Sequence, residues 1–167
     1  MKFNIFICAF CTGLISQFAF ACSCSEKKSV EEEVNSSDLV ALVEVLKVED
    51  VYVPDPQLTQ SVITQGSEIT NQNKTLLGEY LKKVTIKQVH AYKINGDSQI
   101  DVIYTPMYET ACGFKFKKGR RYIVYAEKRQ SLKAMLNETE DVYSTNICKR
   151  TKRKNQKELK AIAKVLK

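Results

Sequence analysis

Residues 38 to 48 read "DLVALVEVLKV", a stretch rich in apolar and β-branched side chains. Alternate positions from Leu39 to Val45 are apolar, which is the spacing that brings side chains to one face of a β-strand. β-Branched residues also favour strands over helices. The stretch therefore predicts a long strand, around which the rest of a mainly β fold can be arranged.

The flanking segments predict a helix before this strand and irregular structure after it. Ser29 is followed three residues later by Glu32, the spacing of a capping box, which predicts a short helix over residues 30–36. Residues 49–80 contain two prolines and many polar side chains. They are predicted to form an extended loop or an irregular hairpin.

The remainder of the chain predicts four more strands and a closing helix. The predicted strands cover residues 82–94, 99–105, 120–128 and 141–148. Asn95-Gly96 follows the first of them and predicts a hairpin turn. Asn155, with Glu158 three residues on, predicts the start of the last helix. Five strands with a helix at each end predict a five-stranded, OB-fold-like barrel, the oligonucleotide/oligosaccharide-binding architecture.

The chain of 167 residues begins like an exported protein. Residues 1–21 combine a positive start, an apolar centre and the small-x-small sequence Ala19-Phe20-Ala21, which predicts a secretory signal peptide. Residues 22–167 are then predicted to form one secreted or periplasmic domain. An uncleaved membrane anchor is the alternative, but polar residues interrupt the short apolar stretch. No later segment is predicted to span a bilayer.

Six cysteines occur, two of them within the predicted signal peptide. The other four are Cys22, Cys24, Cys112 and Cys148. An even number in an exported chain predicts two disulfides. A bond between Cys22 and Cys24 would close a strained ring, so each is expected to pair with Cys112 or Cys148. Two arrangements remain open on these grounds.

The sequence predicts neither an enzyme nor a cofactor. It contains one histidine, His90, which lies inside a predicted strand. There is no phosphate-binding loop and no glycine fingerprint. The cysteine spacing does not match the close pairs of zinc sites, so no intrinsic metal site is expected.

Lipid attachment at Cys22 is a further alternative, as in a bacterial lipoprotein. Ala19 and Phe20 fit the usual lipid-attachment sequence poorly. Acylation would also leave three thiols, an odd number for an exported chain. These two observations favour a free Cys22 after cleavage.

Positive charge is concentrated at the C-terminal end. The formal net charge is +7, and residues 149–167 carry nine basic side chains and one acidic side chain. This pattern suggests a polyanion-binding run, with a solvated helix face as the alternative. The candidate residues are Lys149, Arg150, Lys152, Arg153 and Lys154. Export and disulfide bonding argue against a nucleic-acid partner.

Three separated sequences carry a family resemblance: "CSC" at 22–24, "YTPMYETACGFKFKKGRRYIVYA" at 104–126, and "YSTNIC" at 143–148. Together they resemble the inhibitory domain of the tissue inhibitors of metalloproteinases, within the netrin-like module family. The likeness runs from Cys22 to about Thr151 and is greatest to short microbial members. It implies an OB-fold with Cys22–Cys112 and Cys24–Cys148 disulfides. Animal inhibitors have a third bridge and a second domain, which this sequence lacks.

The same resemblance implies a function. The α-amino nitrogen and carbonyl oxygen of Cys22 would chelate the catalytic zinc of a target metalloprotease, which makes the protein a secreted inhibitor. The implied protease contacts are Ser23, Cys24, Ser25, Met107, Tyr108, Glu109, Thr110 and Ala111. The alternative is a non-inhibitory netrin-like module that binds an extracellular or envelope partner, or a polyanion.

Overall fold

A computed structural model describes residues 22–24, 26, 28–64, 77–94 and 99–167. The predicted signal peptide at 1–21, Ser25 and the predicted Asn95-Gly96 turn lie outside these residues. The described strands are β1 (Leu39–Pro54), β2 (Gly78–Ile94), β3 (Val102–Pro106), β4 (Arg121–Lys128), β5 (Tyr143–Ser144) and β6 (Lys152–Arg153). The described helices are α1 (Val30–Ser36), α2 (Pro56–Thr64), α3 (Gln130–Leu136) and α4 (Gln156–Val165).

Five of the strands pair in a ring. β1 is antiparallel to both β2 and β4, and β2 is antiparallel to β3. β5 completes the ring because it is parallel to β3 and antiparallel to β4. β6 adds to β4 outside the ring. The prediction of a mainly β chain is therefore confirmed, in the form of a six-stranded mixed sheet.

Residues 39–43 of the opening stretch are buried on both faces. The alternate side chains from Leu39 to Val45 belong to one buried cluster, as the sequence predicts. Val40, on the other face, packs in a second cluster with Val34 of α1 and Ile162 of α4. Because helices cover this second face, the strand is apolar at nearly every position rather than at alternate ones.

Of the two alternatives predicted for residues 49–80, the ends of the segment follow the irregular hairpin, because β1 and β2 extend into it and pair antiparallel. Their polar side chains pair across the ribbon, as where Lys82 Nζ lies 2.6 Å from Asp50 Oδ1. α2 also lies in this region, and Asp55 Oδ1 accepts a hydrogen bond of 2.9 Å from the Gln57 N–H. Cross-strand pairs between distant residues thus stabilise strands in a polar part of the sequence.

The last predicted strand, 141–148, is also mostly wrong, since β5 contains two residues. The chain turns after it, and the Asn146 side chain accepts the backbone N–H of Cys148 at 2.9 Å. A side chain that binds nearby backbone in this way competes with sheet pairing. α3 was not predicted, whereas the closing helix is confirmed as α4, with Asn155 as its N-cap.

Candidate functional site

Two disulfides hold residues 22–24 against the rest of the fold. Cys22 is bonded to Cys112 and Cys24 to Cys148, with the Cα atoms of each pair 5.1 Å apart. These are the pairs that the family resemblance implies, out of the two arrangements that remained open. Their members lie 90 and 124 residues apart in the sequence. The first residues of the predicted mature chain are therefore braced by two distant segments.

The two bridges lie side by side. Cys148 Sγ is 3.7 Å from Cys22 Sγ and 4.0 Å from Cys112 Sγ. The sulfur atoms of Cys22, Cys24 and Cys148 lie within 4.8 Å of one another, close enough for a shared metal ion. The thiolate is the form of cysteine that binds a metal, and these sulfurs are oxidised. The cluster therefore holds the terminus through disulfides, and its sulfurs are not in the form that binds a metal ion.

The predicted contact segment, residues 107–111, lies directly before Cys112. The Met107 N–H donates to the Tyr80 carbonyl at 3.1 Å, which fixes the segment to the start of β2. A short 3₁₀ helix follows over Glu109–Ala111, and its residues are exposed. Tyr108 is 58% exposed. The Cys22–Cys112 bridge thus joins the terminus to a protruding, solvent-facing segment.

Gly113 fixes the path of this segment. Its N–H donates to the Tyr108 carbonyl at 2.8 Å. A Cβ atom at Gly113 would lie 2.2 Å from the Pro106 carbonyl oxygen and 2.7 Å from that of Tyr108. Such contacts are closer than side chains tolerate, so only glycine fits. The sequence gives no local sign of this role, because the crowding comes from backbone several residues earlier.

Replacing Gly113 with alanine should lower the free energy of unfolding by about 2–3 kcal/mol, because the 106–108 backbone must move aside. Urea unfolding followed by circular dichroism measures the change. Gly119→Ala is the matched control: it has a φ of +71° and open space around the missing Cβ. It should cost about 1 kcal/mol through backbone strain alone. Equal losses in the two variants would contradict steric crowding at Gly113.

A cleft adjoins the contact segment. Tyr108 and Thr110 of the segment line it, together with Lys82 and Phe114. The Phe114 N–H donates to Thr105 Oγ1 at 2.8 Å, so this part of the wall is held to β3. Of the remaining predicted contacts, Ser23 and Cys24 are exposed beside the bridges. The exposed residues can therefore meet a partner surface without unfolding.

The predicted polyanion-binding run does not form a single cationic surface. Lys149 pairs with Glu127 and lies 3.5 Å from the buried Glu33. Arg150 and Lys152 both pair with Glu158, each at 2.8 Å. Arg153 and Lys154 are exposed, and no ion pair joins them to any other described residue. Three of the five basic side chains are therefore already paired with carboxylates.

Glu158 is the centre of a buried charge network. Arg150 donates to both of its carboxylate oxygens, at 2.8 and 3.0 Å, and Tyr125 Oη donates at 2.9 Å. Burial alone would raise the pKa of Glu158, but hydrogen bonds from Arg150, Lys152 and Tyr125 outweigh it and hold the pKa at about 2. Burial and the neighbouring Glu158 raise the pKa of Tyr125. This network stabilises the contact between α4 and β4.

The chain matches no protein-family model, and no curated protein matches it either. Among the described residues, no helix is both long and apolar enough to cross a bilayer. The two disulfides are compatible with an exported protein, since oxidising compartments preserve such bonds.

Proposed function

We propose that this protein is an exported inhibitor of zinc metalloproteases, related to the tissue inhibitors of metalloproteinases. The observation that carries the proposal is the Cys22–Cys112 disulfide. It holds the first residue of the predicted mature chain beside the exposed segment 107–111. The inhibitory edge would then combine a fixed terminus with a second contact segment.

The chemistry of this terminus suits a metal that belongs to another protein. A catalytic zinc keeps one open position, which is normally occupied by water. The α-amino nitrogen and carbonyl oxygen of Cys22 would displace that water and so remove the nucleophile. The amine must be neutral to bind, and an α-amino pKa near 7.7–8.0 makes that form accessible. Because two disulfides brace residues 22–24, binding would cost little ordering entropy.

The exposed side chains provide the remaining contacts. Ser23 follows Cys22 and would enter the specificity pocket of the protease, as the resemblance implies. Tyr108 offers a large aromatic surface with a polar end, a combination that is common in protein interfaces. Glu109, Thr110 and Ala111 would form the adjoining edge. Ser25 belongs to the proposed contact set on sequence grounds.

We also infer that residues 22–167 form one OB-fold-like domain. The ring of five strands supports this inference, because β5 pairs with both β3 and β4 and so links the two ends of the strand order. A short helix packs against the last helix on one outer face of β1. Such a closed sheet would give the disulfide-braced terminus a rigid support.

The test compares inhibition by two forms of the protein. The natural form is purified from its export route, and mass spectrometry defines its N-terminal residue. A second form carries one additional alanine before Cys22. We expect the natural form to inhibit members of a zinc metalloprotease panel and the extended form to lose inhibition, because the added residue occupies the position of the free amine.

A form with one alanine added after Lys167 serves as the control and should inhibit normally. Equal inhibition by the two N-terminal forms would rule out chelation by the Cys22 amine. Failure of the natural form across the whole panel would instead favour a non-inhibitory netrin-like binding module. Acylation of Cys22 would exclude both its free α-amine and the Cys22–Cys112 disulfide.

A further inference from the structure

A cluster of basic side chains shares no member with the proposed inhibitory edge, although Phe114 lines a cleft beside each of them. We call it the basic rim and define it as Lys117, Lys118, Arg120, Arg121, Arg153 and Lys154. The first two belong to the turn before β4, and the last two belong to β6 and the residue after it. All six are exposed. The fold therefore joins two basic segments that are more than thirty positions apart.

Backbone hydrogen bonds hold the two segments together. The Gly119 N–H donates to the Val45 carbonyl at 2.8 Å, and the Val45 N–H donates to the Arg120 carbonyl at 3.0 Å. The Lys154 N–H donates to the Arg121 carbonyl at 2.9 Å. These bonds fix the backbone of the rim against β1 while its long side chains extend into solvent.

The rim has a large excess of positive charge. Among the residues that the structure describes, Glu44 is the one acidic residue that lines its central cleft, together with Arg120, Arg121, Arg153 and Lys154. Its carboxylate pairs with Arg121 at 3.0 Å. No ion pair joins the other five basic side chains of the rim to any described residue. These five side chains differ in this respect from Lys149, Arg150 and Lys152, which are paired with carboxylates.

A second cleft continues from the first. Phe114 and Tyr122 line it together with Lys117, Arg120 and Arg153. The two rings meet edge to face, with centroids 5.8 Å apart. Tyr122 belongs to the buried core, and the two clefts share Arg120 and Arg153. The cationic surface is therefore elongated, which suits a chain-like ligand better than a single small anion.

We propose that the basic rim binds an extracellular polysaccharide that carries sulfate or phosphate groups. Guanidinium groups bind such oxyanions through paired hydrogen bonds, and lysines add unpaired positive charge. The two disulfides favour a compartment outside the cytoplasm, where acidic polysaccharides rather than nucleic acids are the prevalent polyanions. The proposal does not depend on protease inhibition, since the rim shares no residue with the proposed protease contacts.

The experiment measures binding of the full exported chain to heparin, a sulfated polysaccharide, over a range of salt concentrations. The test variant is Lys118→Gln/Arg120→Gln/Lys154→Gln. The control variant, Lys157→Gln/Lys160→Gln/Lys164→Gln, removes the same charge from exposed positions of α4. We expect the test variant to bind at least about tenfold more weakly near physiological salt, and the control to remain close to the natural chain.

The salt dependence gives an independent result. The plot of log affinity against log salt concentration should become shallower in the test variant by about one for each lost contact, and should change little in the control. Equal losses in the two variants would show an effect of net charge alone and would overturn the site. Absence of heparin binding by the natural chain would overturn it as well. Tighter binding to duplex DNA than to heparin at the same salt would overturn the choice of ligand.

Discussion

Replacing both Cys24 and Cys148 with serine should lower the free energy of unfolding by about 4 kcal/mol. Because the Cys22–Cys112 bridge remains in this variant, the loop that Cys24–Cys148 closes runs through that bridge and residues 112–148, whose ends are 36 positions apart. In the chain-entropy account, a loop of about 40 residues restricts the unfolded state by about 4 kcal/mol, and measured losses of native bridges are about 2–5 kcal/mol. Urea unfolding of the natural and double-substituted chains measures the difference.

Both cysteines must be replaced because the two bridges lie so close together. A Cys24→Ser variant would leave a Cys148 thiol 3.7 Å from Cys22 Sγ. Thiolate attack at that distance would exchange the disulfides. We therefore expect mixed pairings in the single variant by peptide mapping, and one pairing, Cys22–Cys112, in the double variant. A single disulfide pairing in both variants would contradict the close approach of the two bridges. An unchanged free energy of unfolding in the double variant would contradict the stabilising role of Cys24–Cys148.

Sequence reasoning succeeds where local interactions decide the structure. The helix predicted over residues 30–36 is present with the same bounds, because both bonds of its capping box form between neighbouring residues. The strand alternation from Leu39 to Val45 is also confirmed, since one face of it enters a buried cluster. Both features can be read from a short window, independently of the rest of the chain.

Prediction from the sequence is less successful where contacts between distant residues determine the structure. The sequence leaves an extended loop and an irregular hairpin open for residues 49–80, because the register that places Asp50 opposite Lys82 depends on pairing between two strands. α3 has no side-chain N-cap. Its preceding residue, Arg129, instead forms paired hydrogen bonds with Glu79, at 2.7 and 3.1 Å. Such contacts depend on the completed fold.

The same division holds for the candidate sites. The cysteines and the segment 107–111 can be selected from the sequence, whereas the crowding at Gly113 depends on backbone brought together by the 3₁₀ helix. The basic run at 149–154 looks uniform in sequence. In the fold, Glu158 neutralises part of it, and the turn before β4 supplies the other cations of the basic rim. Charge in a sequence therefore does not by itself locate a binding surface.

Replacing Glu158 with glutamine should lower the free energy of unfolding by about 2–3 kcal/mol at pH 7. The carboxylate is buried, and it accepts hydrogen bonds from Arg150, Lys152 and Tyr125. Removing its charge leaves two partly buried cations without their counter-charge, which is costly. Glu49→Gln is the control, because Glu49 pairs with Lys47 in an exposed position. It should change stability by less than about 0.5 kcal/mol.

The pH dependence of the free energy of unfolding distinguishes the contribution of the Glu158 charge from that of its packing. Burial opposes ionisation, but the three donors hold the folded pKa at about 2, against an ordinary value of 4.5. The unfolded chain therefore takes up a proton at this carboxyl before the folded chain does, and stability falls as the pH drops from about 5 towards 2. The natural chain should lose this contribution over that interval, whereas Glu158→Gln should not. The stability difference between the two should thus narrow in acid, and a difference that is constant from pH 7 to pH 2.5 would assign the effect to packing instead.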